Sequence, residues 1–497
     1  MSLRPEGNTD HAKETDDSRV KNSSKAEVHH IEKLKEKTGP VIPTLLEDLS
    51  DDEIRAIERK MVWKVDLRML PLVIIMYILN YLDRNNIAAA RLAGMEDDLK
   101  LTGSQYQTSV SILFVGYVLM QVPSNLFLKS VGKPALYLPT AMGLWGIVSG
   151  ATGAVHNFAG LVSCRVLLGI LEAAYWPGCV FYLSSWYTRK ELGVRLAILF
   201  QGCLLSGAFS GLIAAGVLDG MAGVRGLASW RWLFILEGTA TTLVAIVSIF
   251  LLPNFPHTTG WLSEQERQLA MWRLELDAGE TDQSEDDNSS LLEGFKMAAK
   301  DIKVYVVAIM LICIASSASV LNFFPTVVET LGYGRTETLL LTAPPYVLCM
   351  FTSCFNAWNS DRTGERYFHC TTPLYIAIVA FVLAASTTAT VPRYIAIMLM
   401  IPGFYSSWSL VFAWASNAIP RPAAKRAAAL AMVNSVANCA NIFGSYLYPT
   451  SHAPRYVLAM GVNTGTAVVA ILAGTILRCI LARENKRMGP GATRYPL

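Results

Sequence analysis

Twelve long apolar runs, separated by short polar segments, dominate this chain of 497 residues. Each run holds roughly 20 residues, the length that an α-helix needs to cross the hydrocarbon core of a bilayer. Charged residues make up 16% of the chain, against about 25% in a typical soluble protein. They crowd into residues 1–66, residues 253–303 and the last 20 residues. This pattern predicts an all-α membrane protein that crosses the bilayer many times.

The runs fall into two sets of six. We predict membrane spans at residues 67–90, 107–128, 135–155, 159–183, 194–218, 231–252, 302–328, 338–359, 371–390, 394–416, 425–447 and 456–480. Two sets of six spans predict two pseudo-symmetric six-helix bundles, residues 67–252 and 302–480, as in transporters built from repeats. The remaining segments are predicted to be a disordered cytosolic tail (1–66), a cytosolic linker (253–301) and a short cytosolic tail (481–497).

The linker has an acidic middle without apolar periodicity, which predicts flexibility. Its acidic residues are Asp277, Glu280, Asp282, Glu285, Asp286 and Asp287.

Lysine and arginine concentrate in the short loops that follow the even-numbered spans, as positive residues do in cytoplasmic loops. These residues are Lys129, Lys133, Arg189, Lys190, Arg195, Arg362, Arg366, Arg421, Lys425 and Arg426. The distribution predicts that both termini face the cytosol, and we expect no cleavable signal peptide before the first span.

Two of the predicted spans carry charged residues deep inside them. The first span contains Asp83 and Arg84 within "ILNYLDRNNIAAARLAG", and the fourth contains Arg165 and Glu172 within "CRVLLGILEAAYWPG". Asp83 and Arg165 lie at the same depth, roughly 10 Å below the outer edge. Because a charge near the bilayer centre costs about 2.5–3.5 kcal/mol, these groups are expected to face one another or a water-filled pathway.

Two interpretations of these charges stay open. The four residues could form buried pairs that only lock helices together, or they could line a transport pathway. An ion pair that breaks when its acid is protonated would act as a gate, so both can hold at once. Asp83 and Glu172 are the acids that we predict to carry protons.

The second half of the chain offers amides and aromatic rings instead of buried charge. A polar stripe on span 11 contains Asn434, Asn438, Asn441 and Ser445, which interhelical hydrogen bonding alone could also explain. This asymmetry suits an anion held by arginine and recognised by the other half. The predicted substrate-binding residues are Arg84, Arg165, Asn80, Asn322, Trp408, Asn434 and Asn438.

Two further features have structural interpretations. Glu237, in "WRWLFILEG", either lines the cavity or anchors the end of a helix. Gly207 and Gly211, four residues apart on span 5, predict close helix packing.

The sequence lacks the motifs that several classes of protein need for their function. The sequence has no phosphate-binding GxxxxGK[ST] loop, no HExxH or GxSxG motif, and no CxxC pair among its nine cysteines. It also has no basic stripe for nucleic acid. We therefore predict a secondary transporter driven by an ion gradient, with no enzymatic activity, cofactor, metal or nucleic-acid partner.

Several motifs together resemble the major facilitator superfamily, and more narrowly the fungal allantoate and nicotinate permease-like branch of its anion:cation symporter family. They are "NYLDRNNIAAARLAG", "QVPSNLFLK", "RVLLGILEAAYWPGCVFYLSSWYTRKELGVR", "LPNFPHTTGWLSEQER", "NFFPTVVETLGY" and "SDRTGER". The resemblance implies two six-helix bundles around a central cavity, alternating access, and proton-coupled movement of organic anions. It implies that Arg84 contacts a substrate carboxylate, that Asp83 and Glu172 respond to protons, and that Arg165 couples them.

The resemblance also implies gating residues at one end of the helices. The family signature between spans 8 and 9 is intact, with Asp361, Arg362, Gly364 and Arg366, whereas the copy between spans 2 and 3, "KSVGKPALY", lacks its acid. We predict a monomeric plasma-membrane symporter of a small organic carboxylate, such as a vitamin, ureide or sugar acid. Export of a metabolite and a transporter-like nutrient sensor are the alternatives.

Overall fold

The computed structural model describes residues 42–282, 291–419, 423–488 and 494–496, and in these ranges every regular element is helical. This confirms the predicted all-α class. The described residues form two compact units. The first takes residues 42–61 and 260–282, and the second takes residues 62–259 and all described residues from 291 onward.

The first predicted bundle consists of six helices, all in the second unit apart from the start of the first helix. They are α1 (Asp51–Leu92), α2 (Gln105–Val131), α3 (Pro134–Thr152), α4 (Phe158–Glu172, then Tyr175–Ser184), α5 (Arg189–Gly220) and α6 (Ser229–Leu251). The interruption in α4 has a local cause, since Pro177 cannot donate a helical hydrogen bond and its ring collides with the carbonyl of Ala173.

The described residues of the second predicted bundle also form six helices. They are α7 (Ile302–Ala318, then Ser319–Phe323 as a 3₁₀ turn and Phe324–Glu329), α8 (Arg335–Leu341, then Ala343–Thr363), α9 (Tyr367–Ser386), α10 (Thr390–Ala418), α11 (Ala423–Gly444) and α12 (Val457–Arg487). In the described part of the chain, ten helices are long and apolar enough to cross a membrane. The other two predicted spans coincide with α1 and α3.

Helix α1 begins earlier than the sequence predicts. It starts at Asp51, inside the segment 1–66 that was predicted to be a disordered tail. Ser50 and Glu53 cap this end reciprocally, with Ser50 N donating to Glu53 Oε2 at 3.0 Å and Glu53 N donating to Ser50 Oγ at 3.4 Å. The rest of the predicted tail, residues 1–41, lies outside the described residues.

The predicted flexible linker also contains helices, Glu264–Asp282 and Leu291–Ala299. A second reciprocal cap explains where the longer one begins, because Ser263 N donates to Glu266 Oε2 at 3.0 Å and Glu266 N donates to Ser263 Oγ at 3.2 Å. Residues 283–290, which hold the remaining acidic positions, lie outside the described residues.

The side of the bundles where α1 enters its predicted membrane span is called the tail side. The opposite side, where α1 ends at Leu92, is called the far side. On the far side α5 packs closely on α8. A Cβ atom on Gly207 would collide with the ring of Tyr346, and one on Gly211 would collide with Thr342. This confirms the close packing predicted from the glycine spacing.

More far-side contacts join the two bundles near the ends of α1 and α2. The guanidinium carbon of Arg91 lies 4.2 Å from the centroid of the Tyr106 ring and 6.0 Å from that of Phe323 in α7. Ser111 Oγ donates to the backbone oxygen of Ile442 in α11 at 2.9 Å. The bundles are therefore held together on the far side.

Candidate functional site

Arg84 of α1 and Glu172 of α4 form an ion pair in the middle of the first bundle. The Nη2 and Nε atoms of Arg84 donate to Glu172 Oε2 at 2.6 and 2.8 Å. The Glu172 side chain is fully buried and that of Arg84 is 10% exposed. The two residues are 88 positions apart in the sequence and lie on different spans. The pair brings together two of the four charges that the sequence singled out.

Aromatic rings surround the guanidinium group of Arg84. Its central carbon lies 4.9 Å from the centroid of the Tyr117 ring, 5.1 Å from Tyr81 and 5.8 Å from Phe114. Such rings stabilise a cation by their negative faces while offering no competing anion. The second oxygen of Glu172, Oε1, has no hydrogen-bond partner among the described residues.

Arg165 of α4 is a buried cation without an acidic partner in the described structure. Its only hydrogen bond there is from Nη1 to the backbone oxygen of Arg84, at 3.4 Å, and its Nε and Nη2 atoms have none. The ring of Phe234 in α6 lies 5.6 Å from the guanidinium carbon. Since Arg165 is 1% exposed, two strong donors are left facing no acceptor, which is costly unless a ligand or water fills that role.

A small cavity joins the two arginines to the second bundle. It is lined by Arg84, Asn85, Ile87, Val110, Leu113, Phe114, Arg165 and Asn322. Its size leaves room for about one water molecule. Asn322 is the residue that the second bundle contributes, and its Nδ2 donates to Asn441 Oδ1 at 3.4 Å. Glu172 reaches this cavity through its ion pair with Arg84.

Asp83 points away from this cavity, into the interior of the first bundle. Its two oxygens accept hydrogen bonds from Ser149 Oγ of α3 and Thr241 Oγ1 of α6, both at 2.7 Å. The side chain is fully buried. Adjacent positions on a helix point in directions about 100° apart, so Asp83 and Arg84 serve different interfaces and are not paired with each other.

The other predicted substrate-binding residues lie outside the lining of this cavity. Asn438 Nδ2 donates to the backbone oxygen of Asn434 at 2.9 Å along α11, and the ring of Trp408 packs edge-on against Phe412 within α10. Asn80 is buried in α1, with its Nδ2 unpartnered among the described residues. A role for these residues in binding stays a prediction.

The predicted gating residues lie together at the tail-side end of α8. Arg366 Nη2 lies 2.7 Å from Asp361 Oδ1, and Arg366 Nη1 donates to Ser360 Oγ at 3.0 Å. Arg362 lies 5.4 Å from the centroid of the Trp358 ring. Gly364, with φ of 68°, provides the left-handed turn that ends the helix and brings Arg366 back to Asp361.

Sequence reasoning overlooked three kinds of residue at this site, which are aromatic rings, hydroxyl groups and one asparagine. The rings of Phe114 and Tyr117 and the hydroxyls of Ser149 and Thr241 are common in membrane helices, so nothing in the sequence marks them. Asn86, three residues after Asp83, is fully buried and neither polar atom of its side chain has a partner in the described structure. Its place in the polar stretch of α1 is a signal that could have identified it.

Comparisons with known proteins agree with this architecture. The sequence profile of the Major Facilitator Superfamily matches residues 73–445. The MFS-type transporter cnsO of Penicillium expansum is 33% identical over 481 residues, which cover 91% of each protein. The major facilitator-type transporter hxnP of Emericella nidulans is 30% identical over 440 residues, which cover 86% of this chain and 87% of hxnP.

A solved structure shares the fold at low sequence identity. It is a bacterial homolog to the human lysosomal transporter Spinster in an inward-facing and unoccupied conformation, with a TM-score of 0.65, 14% identity, and coverage of 89% of this chain and 100% of that chain. This likeness concerns the fold alone. From the profile match and the two fungal relatives, the chain belongs to the Major Facilitator Superfamily.

Proposed function

We propose that this protein is a proton-coupled transporter of a small organic anion, with a carboxylate held by Arg165 and Arg84. The observation that carries the proposal is the Arg165 guanidinium, which is buried beside the cavity with two nitrogen atoms unpartnered among the described residues. A carboxylate accepts two parallel hydrogen bonds from one guanidinium group, and such pairs are stronger than neutral hydrogen bonds.

The charges around the cavity favour an anion. With Glu172 ionised, the two arginines and this acid sum to one positive charge, and with Glu172 protonated they sum to two. Because the surrounding groups exclude water, this charge acts more strongly than it would in bulk solvent. An anionic substrate would remove the cost of leaving Arg165 unpaired.

Proton coupling follows because Glu172 and a substrate carboxylate compete for Arg84. Protonation of Glu172 removes the negative charge that now holds Arg84, so Arg84 becomes available to a substrate carboxylate. By linkage, an anion that binds Arg84 raises the proton affinity of Glu172 by the same factor. Asp83, held by two hydroxyl groups, would be the second proton carrier.

Access to the site requires movement in this state. The cavity holds about one water molecule, which is too little for an organic anion, and the bundles are joined on the far side. A substrate would enter after the bundles separate on one side. Lysine and arginine in the loops of the tail side support placing that side in the cytosol, and we propose a monomer in the plasma membrane.

The test is uptake of radiolabelled carboxylates by yeast cells that lack their own permeases, at two external pH values. The probes are nicotinate, allantoate and a sugar acid. We expect uptake of at least one probe above that of vector cells, and more at the lower pH. Loading the cells with the same probe and following its loss decides between import and export, and a fluorescent fusion reports the membrane.

Matched variants locate the site. Arg165→Gln and Arg84→Gln are each expected to lower uptake by at least about tenfold, the equivalent of about 1.4 kcal/mol of binding energy. Glu172→Gln keeps the shape but cannot ionise, so uptake is expected to lose its dependence on pH. Arg335→Gln, at an exposed arginine, is the control. Normal uptake by Arg165→Gln, or no uptake of any probe at either pH, would contradict the proposal.

A further inference from the structure

Glu237 of α6 is a buried acid to which the mechanism above gives no task. It is 5% exposed, and neither of its carboxyl oxygens has a hydrogen-bond partner among the described residues. It does not line the cavity at Arg84. It lies two turns inside α6, which begins at Ser229.

The neighbours of Glu237 belong to the interface between α1 and α6. Thr241, one turn further along α6, bonds Asp83 of α1. These helices run in opposite directions across the membrane, so Glu237 lies one turn closer to the far side than Thr241, at the level of Asn86. Asn86 also has both side-chain polar atoms unpartnered in the described structure.

Asp83 of α1 is the charged residue that faces α6 across this interface, where Thr241 donates to it. Arg165 of α4 also reaches α6, since its guanidinium carbon lies 5.6 Å from the ring of Phe234, but its hydrogen bond goes to the backbone oxygen of Arg84. Helix α3, which also packs on α6, contains no charged residue. The charged residues of α5 lie near its two ends, at Arg189–Arg195 and at Asp219. On α6 itself Arg231 is engaged elsewhere, since it donates to the backbone oxygens of Gly153 and Val155 and to Asp98.

Two neighbouring buried acids cannot both ionise at low cost. Asp83 accepts two hydrogen bonds, from Ser149 and Thr241, and these stabilise its carboxylate. Glu237 accepts none at hydrogen-bond distance among the described residues, and the donor beside it is the neutral amide of Asn86. A buried carboxylate without a bonded donor costs far more than the neutral acid. The difference in donors assigns the single negative charge to Asp83.

We propose that Glu237 is a proton-binding site, which holds a proton on the far side of Asp83 in the state described here. Its place one turn beyond Asp83 suits transfer between the far side and Asp83, a role that rests on the proposed proton coupling. The proton moves between two carboxyl groups, so that one is ionised as the other becomes neutral and the charge of the pair is unchanged.

Infrared spectroscopy tests the proposal without a substrate. The full-length protein is purified in a detergent that has no ester carbonyl, and the C=O stretch of protonated carboxyl groups is recorded at neutral pH. We expect a band that Glu237→Gln removes and that Asp219→Asn, at an exposed acid on α5, leaves in place. Glu237→Asp keeps a carboxyl group at a changed distance and is expected to shift the band.

A spectrum unchanged in both Glu237 variants would overturn the proposal, whatever the uptake screen finds. The Asp variant covers the case in which the Gln variant fails to fold. If a probe is transported, Glu237→Gln is also expected to lower its accumulation against a gradient by about tenfold, or about 1.4 kcal/mol, while exchange of internal for external probe continues. If accumulation and exchange fall by the same factor, a role of Glu237 in proton transfer is contradicted.

Discussion

The two arginines of the cavity differ in how their charge is satisfied. Arg84 is paired with Glu172 and enclosed by aromatic rings, whereas Arg165 has two nitrogen atoms without partners in the described structure. A buried charge without a partner costs stability, and breaking a buried pair leaves such a charge behind. Substitution of each arginine by a neutral residue should therefore have opposite effects on stability.

We predict that Arg165→Met raises the free energy of unfolding by about 1 kcal/mol or more, because it removes an uncompensated buried charge. Arg84→Met should lower it by about 3–5 kcal/mol, because it leaves Glu172 buried without its cation. The measurement is the unfolding temperature of each purified variant against the unmodified protein. If both variants lose the same amount of stability, the charge of Arg165 must have a partner that the described residues do not include.

Asp301, directly before α7, illustrates a structural charge at the edge of the bundle. Burial raises the pKa of its carboxyl group, but hydrogen bonds from Lys425 Nζ at 2.6 Å and from the backbone N–H of Lys303 at 2.9 Å outweigh burial and lower the pKa below its ordinary value. A lowered pKa in the folded state means that the ionised group stabilises the fold at neutral pH. That contribution disappears as the pH falls through the folded-state pKa.

Asp301→Asn is accordingly predicted to lower the free energy of unfolding at neutral pH by about 1–3 kcal/mol, the range for hydrogen bonds to a charged group. The difference from the unmodified protein should shrink as the pH falls below about 4, the ordinary range of an aspartate. Unfolding temperatures at several pH values check this, with Asp219→Asn as a control. A difference that stays constant with pH would contradict an ionised Asp301.

At the scale of the helix, α5 depends on glycines where the two bundles meet. Gly207 and Gly211 have no room for a Cβ atom against α8, but a Cβ on Gly216 of the same helix would meet no atom within 4 Å. Gly207→Ala and Gly211→Ala are predicted to weaken the closed far side, which faster labelling of a cysteine placed there would reveal. Gly216→Ala should leave labelling unchanged, and helix propensity predicts at most about 1 kcal/mol of added stability. Equal labelling in all three variants would exclude this role for the glycines.

The helices could be predicted from the sequence because apolar runs of membrane length are a strong and local signal. The start of α1 could not, since residues 51–66 are charged and their helix begins at a reciprocal cap between Ser50 and Glu53 that hydropathy does not detect. The helix at Glu264–Asp282 was overlooked for the same reason.

The charged part of the candidate site was also visible in the sequence, but its pairing was not. Depth along a helix places Asp83, Arg84 and Arg165 near one another, yet it does not fix the direction in which each side chain points. The structure turns Asp83 to the hydroxyls of Ser149 and Thr241 and pairs Arg84 with Glu172. These partners depend on helix packing between α1, α3, α4 and α6, which hydropathy does not determine.

At the scale of the whole second unit, the contacts between bundles lie where transport would require separation. Ser111 of α2 donates to the backbone oxygen of Ile442 in α11 at 2.9 Å, so the two bundles approach closely at this point. If alternating access moves the bundles as bodies, this approach must open during each cycle. Contacts within one bundle should persist throughout it.

Cysteines at Ser111 and Ile442, joined by mild oxidation or a short thiol-specific cross-linker, are predicted to lower transport of the probe found in the uptake screen by at least about tenfold, or about 1.4 kcal/mol. A reducing agent should restore transport, because the link only blocks separation. The matched control lies within one bundle, where Ser407 Oγ of α10 donates to the backbone oxygen of Cys370 in α9 at 2.7 Å. Ser407→Cys supplies the second thiol there, and its link to Cys370 should leave transport intact. Full transport with the Ser111–Ile442 link in place, verified by mass spectrometry of the linked peptides, would mean that the bundles do not separate on the far side.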